Sequence, residues 1–348
     1  MKRGHSSLHG VVTLISADTG KVLDSEVETK FCQVCARKQH TDSNQQECKV
    51  THSGSSGGME AAGAVKIYAR SIEKHGLMYT TYIGDGDSKA FLAVKESKPY
   101  NKADVEKHEC VGHVQKRMGT RLRNMKTSLK GKKLSDGLTL SGRGRLTEKD
   151  IDSLQFYYGK AIRDNTDSLQ NMRKAVWAIY FHKLSTDEKP NHGLCPNGPS
   201  SWCGYNRSLS EGNPETYSHR KSLPTAVLEA IKPVFQALSS PGLLSKCLHG
   251  RTQNTNESLN QLIWCRCPKT TFVGADTVKI ATYDAVAHYN DGNAARNAVL
   301  NALGITPGVF CETALSRLDK ERVEKAEFRS STESKERRRR KRNLKKGL

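Results

Sequence analysis

The residues able to do chemistry fall into three groups. Cys32-x₂-Cys35 followed by Cys48-x₃-His52 has the ligand order of a structural zinc site, where thiolates and an imidazole close a tetrahedron. His40 is a spare donor between them. The loop is poor in apolar residues, so without a metal it has little reason to order. A second set, His192, Cys195 and Cys203, lies in a Pro/Gly-rich stretch and lacks a fourth local donor. Cys110 and His113, spaced as Cys-x-x-His, either complete that set or stay hydrogen-bonded in the core.

The third group is acidic. Asp85 and Asp87 follow the β-forming run Leu77–Ile83, and Glu257 opens a helical segment in Asn254-Thr255-Asn256-Glu257-Ser258-Leu259-Asn260. Taken singly, Asp-Gly is a turn and an acid in a first helical turn is a favourable cap. Taken together, three carboxylates can hold two Mg²⁺ ions about 3.5–4 Å apart, which activates a water and relieves charge on a leaving oxygen.

The elements that must position these groups read as follows. Gly10 to Glu28 is a β-hairpin, with Ala17-Asp18-Thr19-Gly20 as its turn, and Cys32 to Gly58 is a loop. Met59 to His75 is helical, Leu77–Ile83 is a strand, and Val105 to Arg123 holds a short strand and a basic helix. This order predicts an α/β sheet with one antiparallel edge. Lys126 to Gly144 reads as a loop. Helices are expected within 146–184 and at 223–238, 255–264, 277–289 and 294–303.

Of the 348 residues, 56 are Lys or Arg and 36 are Asp or Glu, a net charge of +20. Clustered cations gain binding free energy by releasing counterions from phosphate backbones, so a nucleic-acid partner is expected. Lys116, Arg117, Arg121, Arg123, Lys126, Lys130, Lys132 and Lys133 are expected to give a DNA-binding surface beside the acidic edge, with a solvated helix face as the alternative. The run Arg337-Arg338-Arg339-Arg340-Lys341-Arg342 has nuclear-localisation character and is expected to be disordered when free. With no apolar leader and no run of eighteen apolar residues, the chain is expected to be intracellular, with no membrane span.

The segments Tyr82–Phe91, Glu109–Arg117 and Asn254–Asn260, in that order, resemble the Mutator-like transposase domain. The resemblance spans roughly Lys2 to Gly308 and implies an RNase H-like mixed sheet with flanking helices. It also implies a mainly helical insertion before the Glu257 helix. The domain layout would be 1–125 as the first part of the core with a zinc loop at 29–58, then 126–250 as the insertion with its Cys/His loop at 191–205. Residues 251–310 would close the core, and 311–348 would be a helical, then disordered, basic tail. Asp85 or Asp87, with Glu257, would bind Mg²⁺ or Mn²⁺, and Zn²⁺ would be structural. The partners would be transposon ends or target DNA, with a homo-oligomer as a further expectation, in the nucleus. The family's first Asp lies in an Asp-Gly-Thr-Trp stretch directly before a segment like Lys2–Leu8. The triad is therefore expected to be incomplete within this sequence. A non-catalytic, zinc-containing DNA-binding protein derived from a transposase is the alternative.

Overall fold

The computed structural model describes residues 7–37, 48–85, 89–219 and 222–346. A hairpin, β1 (His9–Ile15) and β2 (Val22–Thr29), leads to α1 (Gln33–Arg37), α2 (Gly58–Ala69) and α3 (Ser71–His75). Then come β3 (Thr81–Gly84), α4 (Lys89–Ser97), β4 (Glu106–Glu109) and α5 (Val111–Ser128). Next are α6 (Glu148–Arg163), α7 (Leu169–Leu184), α8 (Gly204–Ser210), α9 (Thr225–Leu238) and α10 (Pro241–Leu244). The last elements are α11 (Asn254–Arg266), α12 (Ala275–Asp291), α13 (Ala295–Ala302), α14 (Val309–Ser330) and α15 (Thr332–Lys346). The protein is mixed α/β and mostly helical. It divides into two compact units, Met1–Ile67 with Thr255–Leu348, and Tyr68–Asn254.

In the first unit the hairpin pairs antiparallel, with Val11 opposite Val27 and Leu14 opposite Asp24. Gly20 takes a positive φ of 69° in its turn, a backbone conformation that glycine adopts without a Cβ clash. α11 and α12 bury their apolar sides on the strands: Leu259, Ile263 and Ala285 surround Val22, and Val278 and Ala281 surround Val27. The Asn290 amide fastens the end of α12 to β2, accepting from Val22 N at 2.8 Å and donating to Val22 O at 2.9 Å. α2 crosses the hairpin closely at Gly63, where a Cβ would stand 2.6 Å from Val12 Cγ2.

The second unit is a helical bundle with a two-stranded parallel sheet. Val114, Met118 and Leu122 of α5 meet Leu154, Tyr158 and Ile162 of α6. Met172, Val176 and Ile179 of α7 and Val227, Ile231 and Phe235 of α9 complete the core. Tyr158 keeps its hydroxyl satisfied by donating to Leu238 O at 2.9 Å. Thr147 caps α6 in a capping box with Asp150, which satisfies two otherwise orphaned backbone donors.

The segment between α5 and α6 is more ordered than its glycines and lysines suggest. Leu140 and Leu146 are buried, and the buried Arg145 guanidinium donates to Thr139 O at 2.8 Å and to Asp136. Hydrogen bonding from Arg145 holds the Asp136 carboxyl below its usual range. A depressed carboxylate stabilises the fold above its unfolded pKa, and that stability is lost as pH falls through the lowered one. Asp136→Asn is thus expected to lower the melting temperature by a few degrees at neutral pH. The gap from wild type should close in strong acid. Melting curves that coincide at pH 7 would remove this role from Asp136.

Two expectations are corrected by the fold. Among the described residues the strands pair as β1–β2, antiparallel, and β3–β4, parallel. The run from Leu77 does not pair until Thr81. Leu77 and Met78 are exposed, and Tyr79 N donates to the Tyr100 hydroxyl at 2.9 Å instead of to a strand. The basic tail is helical rather than disordered: Ser331 Oγ accepts from Ser334 N at 3.2 Å, Glu333 sits in the first turn, and Arg338 Nε donates to Ser334 O. Arg and Lys rank among the better helix formers, and here a cap and that propensity outweigh self-repulsion.

Candidate metal centres

The second Cys/His set is assembled from one helix end and one knotted loop. His182 lies in the last turn of α7, one turn beyond the buried Ala178, which packs against Cys195 and Cys203. A turn closed by Cys195 N donating to His192 O at 2.9 Å brings those two residues to one side. Cys203 is the N-cap of α8, its sulfur accepting from Asn206 N at 3.5 Å. The Asn206 amide donates inside the knot to Cys195 O and Pro196 O, both at 3.2 Å, and holds its two halves together.

His182 Nδ1, His192 Nδ1, Cys195 Sγ and Cys203 Sγ all lie within 4.8 Å of one another, and three of the four residues are buried. The two nitrogens are 3.3 Å apart. The four sulfur–nitrogen distances are 3.7, 3.8, 3.6 and 3.4 Å. Zinc bonds of about 2.3 Å to sulfur and about 2.0–2.1 Å to nitrogen require tetrahedral edges of about 3.3 Å (N–N) and about 3.5 Å (S–N). The donors therefore already stand at the corners of a zinc-sized tetrahedron. Hydrogen bonding between the thiols pulls Cys203 down and pushes Cys195 up. Burial lowers His192, which keeps its imidazole neutral, the form that ligates a metal.

His182 is the fourth donor absent from the sequence reading. The spacing His182-x₉-His192-x₂-Cys195-x₇-Cys203 was available to find it. Cys110 and His113 do not join this group. Cys110 is buried at the N-cap of α5 and accepts from Gln253 N at 3.3 Å, while His113 Nδ1 is buried without a hydrogen-bond partner among the described residues.

At the other Cys/His site, Cys32, Cys35 and Cys48 gather within 4.8 Å. Hydrogen bonding to Cys48 and then Cys32 raises Cys35 to about 12. His52 is not among them, because its ring folds over Gly54 and its Nε2 lies 3.1 Å from Ser55 O. His40 lies outside the described residues.

The acidic candidates lie apart in the chain. Asp85 follows β3 and is exposed; Asp87 lies outside the described residues. Glu257 is exposed in the first turn of α11, in the first unit. Asp85 has a carboxylate neighbour that the sequence reading missed. β3 and β4 pair in parallel with Gly84 opposite Glu109, which puts Glu109 at the same sheet end, and it is buried there. Arg117 joins the two acids: its Nη2 donates to Glu109 Oε2 at 2.7 Å and lies 3.6 Å from Asp85 Oδ1.

The basic face is narrower than its sequence suggests. Arg117 is engaged as described, Arg123 pairs with Glu148 and Asp152, and Lys126 pairs with Glu148. The α6 acids thus neutralise the middle of the stretch. Lys116, Arg121, Lys130, Lys132 and Lys133 are exposed. No helix among the described residues is long and apolar enough to cross a membrane.

A family model described as Mutator-like transposase matches residues 1–203. No curated protein and no solved structure matches the chain. The matched span contains all four donors of the His182 set, the three thiols and Asp85, and ends before Glu257.

Proposed function

The chain belongs to the Mutator-like transposase family, and on that premise we propose that it acts on DNA through a zinc-ordered, transposase-derived domain. The observation that carries this reading is the preformed His182/His192/Cys195/Cys203 tetrahedron inside the family-matched span. An ion held by the two thiolates and two imidazoles would have no open position, so its role would be structural rather than catalytic. Cys32, Cys35 and Cys48 would hold a second zinc. Lys116, Arg121, Lys130, Lys132 and Lys133 would track phosphates, and residues 337–342 would direct the protein to the nucleus.

Strand cleavage at element ends and joining of the freed 3′-hydroxyl to target DNA would fall to an RNase H-like core. Asp85 or Asp87, with Glu257, would hold Mg²⁺ or Mn²⁺, which when bound activates a water and stabilises the leaving oxygen. Within the protein, Arg117 holds Asp85 at the end of β3, and buried Glu109 holds Arg117. The Arg117 guanidinium, 3.6 Å from Asp85, competes with a metal for that carboxylate, which favours the second reading, a non-catalytic DNA-binding protein.

Plasmid nicking in Mg²⁺ or Mn²⁺ separates the two readings. The catalytic one expects nicking by wild type, none by Glu257→Gln or Asp85→Asn, and DNA retention that weakens with salt in all three. Nicking that survives both substitutions would overturn the carboxylate assignment. Salt-sensitive retention without nicking by wild type selects the second reading, and loss of retention as well overturns both.

A further inference from the structure

The zinc donors of the second unit are backed by a hydrogen-bonded chain outside the tetrahedron. His192 turns Nδ1 toward the other three donors, and its opposite nitrogen, Nε2, lies 2.6 Å from His219 Nε2. His219 is nearly buried, and its Nδ1 lies 2.6 Å from Asp187 Oδ1. That carboxylate oxygen also accepts from the His219 backbone N–H at 2.9 Å, and Ser218 Oγ donates to Asp187 Oδ2 at 3.3 Å. The His192 ring stacks on Tyr205, with centroids 4.4 Å apart, and meets His219 at its edge, with centroids 4.9 Å apart, and both contacts restrict its rotation.

We infer that Asp187 and His219 are positioning residues that set the tautomer of His192 and thereby present its Nδ1 lone pair to the metal. This rests on the zinc reading of the site. Proton counting gives the direction of each bond. A carboxylate only accepts, so His219 Nδ1 carries the hydrogen that it donates to Asp187. An ion held at His192 Nδ1 leaves the hydrogen of that ring on Nε2, which donates it to His219 Nε2. The remaining nitrogen of His192, Nδ1, is left without a hydrogen and faces the two thiols and His182. In the opposite tautomer, Nδ1–H would point into the tetrahedron and exclude the ion. Neither Asp187 nor His219 touches the metal position; both act through His192, as outer-sphere partners of ligating histidines generally do.

The test uses the full-length protein loaded with zinc and titrated with a chromophoric chelator, together with the visible spectrum of its Co²⁺ form. Asp187→Asn and His219→Ala are expected to weaken zinc retention by about 10–100-fold and to shift the cobalt bands of the two-thiolate, two-imidazole site. Asp187→Glu, which keeps an accepting carboxylate, is expected to restore most of the affinity. Far-ultraviolet circular dichroism checks that each variant keeps its helices. Unchanged affinity and cobalt bands in both Asp187→Asn and His219→Ala would overturn the tautomer assignment while leaving the zinc site standing. A helical Asp187→Asn variant that Asp187→Glu fails to improve on would also overturn it. Wild type that retains zinc no better than a His182→Ala, Cys203→Ser double variant overturns the zinc reading itself, and the relay with it.

Discussion

Alanine at His182 is expected to strip one zinc equivalent from the protein and to free the chain from Ser185 to Cys203. The four donors come from the end of α7 and from a loop whose own core is small, Ala178, Cys195 and Cys203 with Leu194, Trp202 and Tyr205 packed around them. Structural zinc in small modules contributes about 10–16 kcal/mol of apparent folding free energy, far more than that apolar contact supplies. Removing one of four ligands leaves the other three donors unable to hold the ion between them, so the loss exceeds that of a single contact. Metal content by mass spectrometry and limited proteolysis read the two consequences. Unaltered zinc content, with no new cleavage between Ser185 and Cys203, would remove His182 from the site. The core of α5, α6, α7 and α9 does not pass through the metal, so the variant should keep most of its helical signal.

Phe235→Ala is expected to cost about 3–5 kcal/mol, the range for emptying a large aromatic site. Phe235 is fully buried on α9, with its ring 5.4 Å from Tyr180 at 69° and 6.3 Å from Trp177. Those partners are fixed on α7, so the space left behind cannot collapse without moving that helix. A domain is stable by only about 5–15 kcal/mol, so this one change takes a large share. Urea denaturation should show a lower midpoint with an unchanged slope, and Phe235→Leu should cost less. A loss under about 1 kcal/mol would mean that the α7–α9 contact is looser than the structure shows.

Much of the architecture follows from local pattern. The β-branched run from Val11, the Asp18-Thr19-Gly20 turn and the return through Val27 form the hairpin as expected, with the register placing Val11 opposite Val27. The helices at α6, α7, α9, α11 and α12 follow from apolar spacing, and Thr147 and Ser168 mark two of their starts as side-chain caps. Where local pattern misled, a competing local force is identifiable. Leu77 and Met78 look like strand residues, yet a tyrosine hydroxyl takes the backbone donor of Tyr79, and among the described residues no strand pairs with them. The polybasic segment looks too charged to order, yet Ser331 and Glu333 start a helix that Arg and Lys then extend.

The chemistry divides the same way. By itself the sequence determined donor types and short spacings: Cys32 with Cys35, His192 with Cys195, a net charge of +20, and an acid after β3. The charge follows from composition, and the pairings follow from covalent geometry within about one helical turn, which spacing reports directly. Tertiary structure alone decided which remote groups meet. His182 joins His192 because the end of α7 packs its Ala178 face on the knot, and His219 joins from still further along the chain. His52 falls away from the thiols to a carbonyl three residues on, and Glu109 meets Asp85 only because β3 and β4 pair in parallel. Arg123 and Lys126 lose their free charge to acids on α6 that share no spacing with them. Such meetings are set by which helix faces bury apolar area together and by where loops close, and a period along one segment carries no record of the face that another will present.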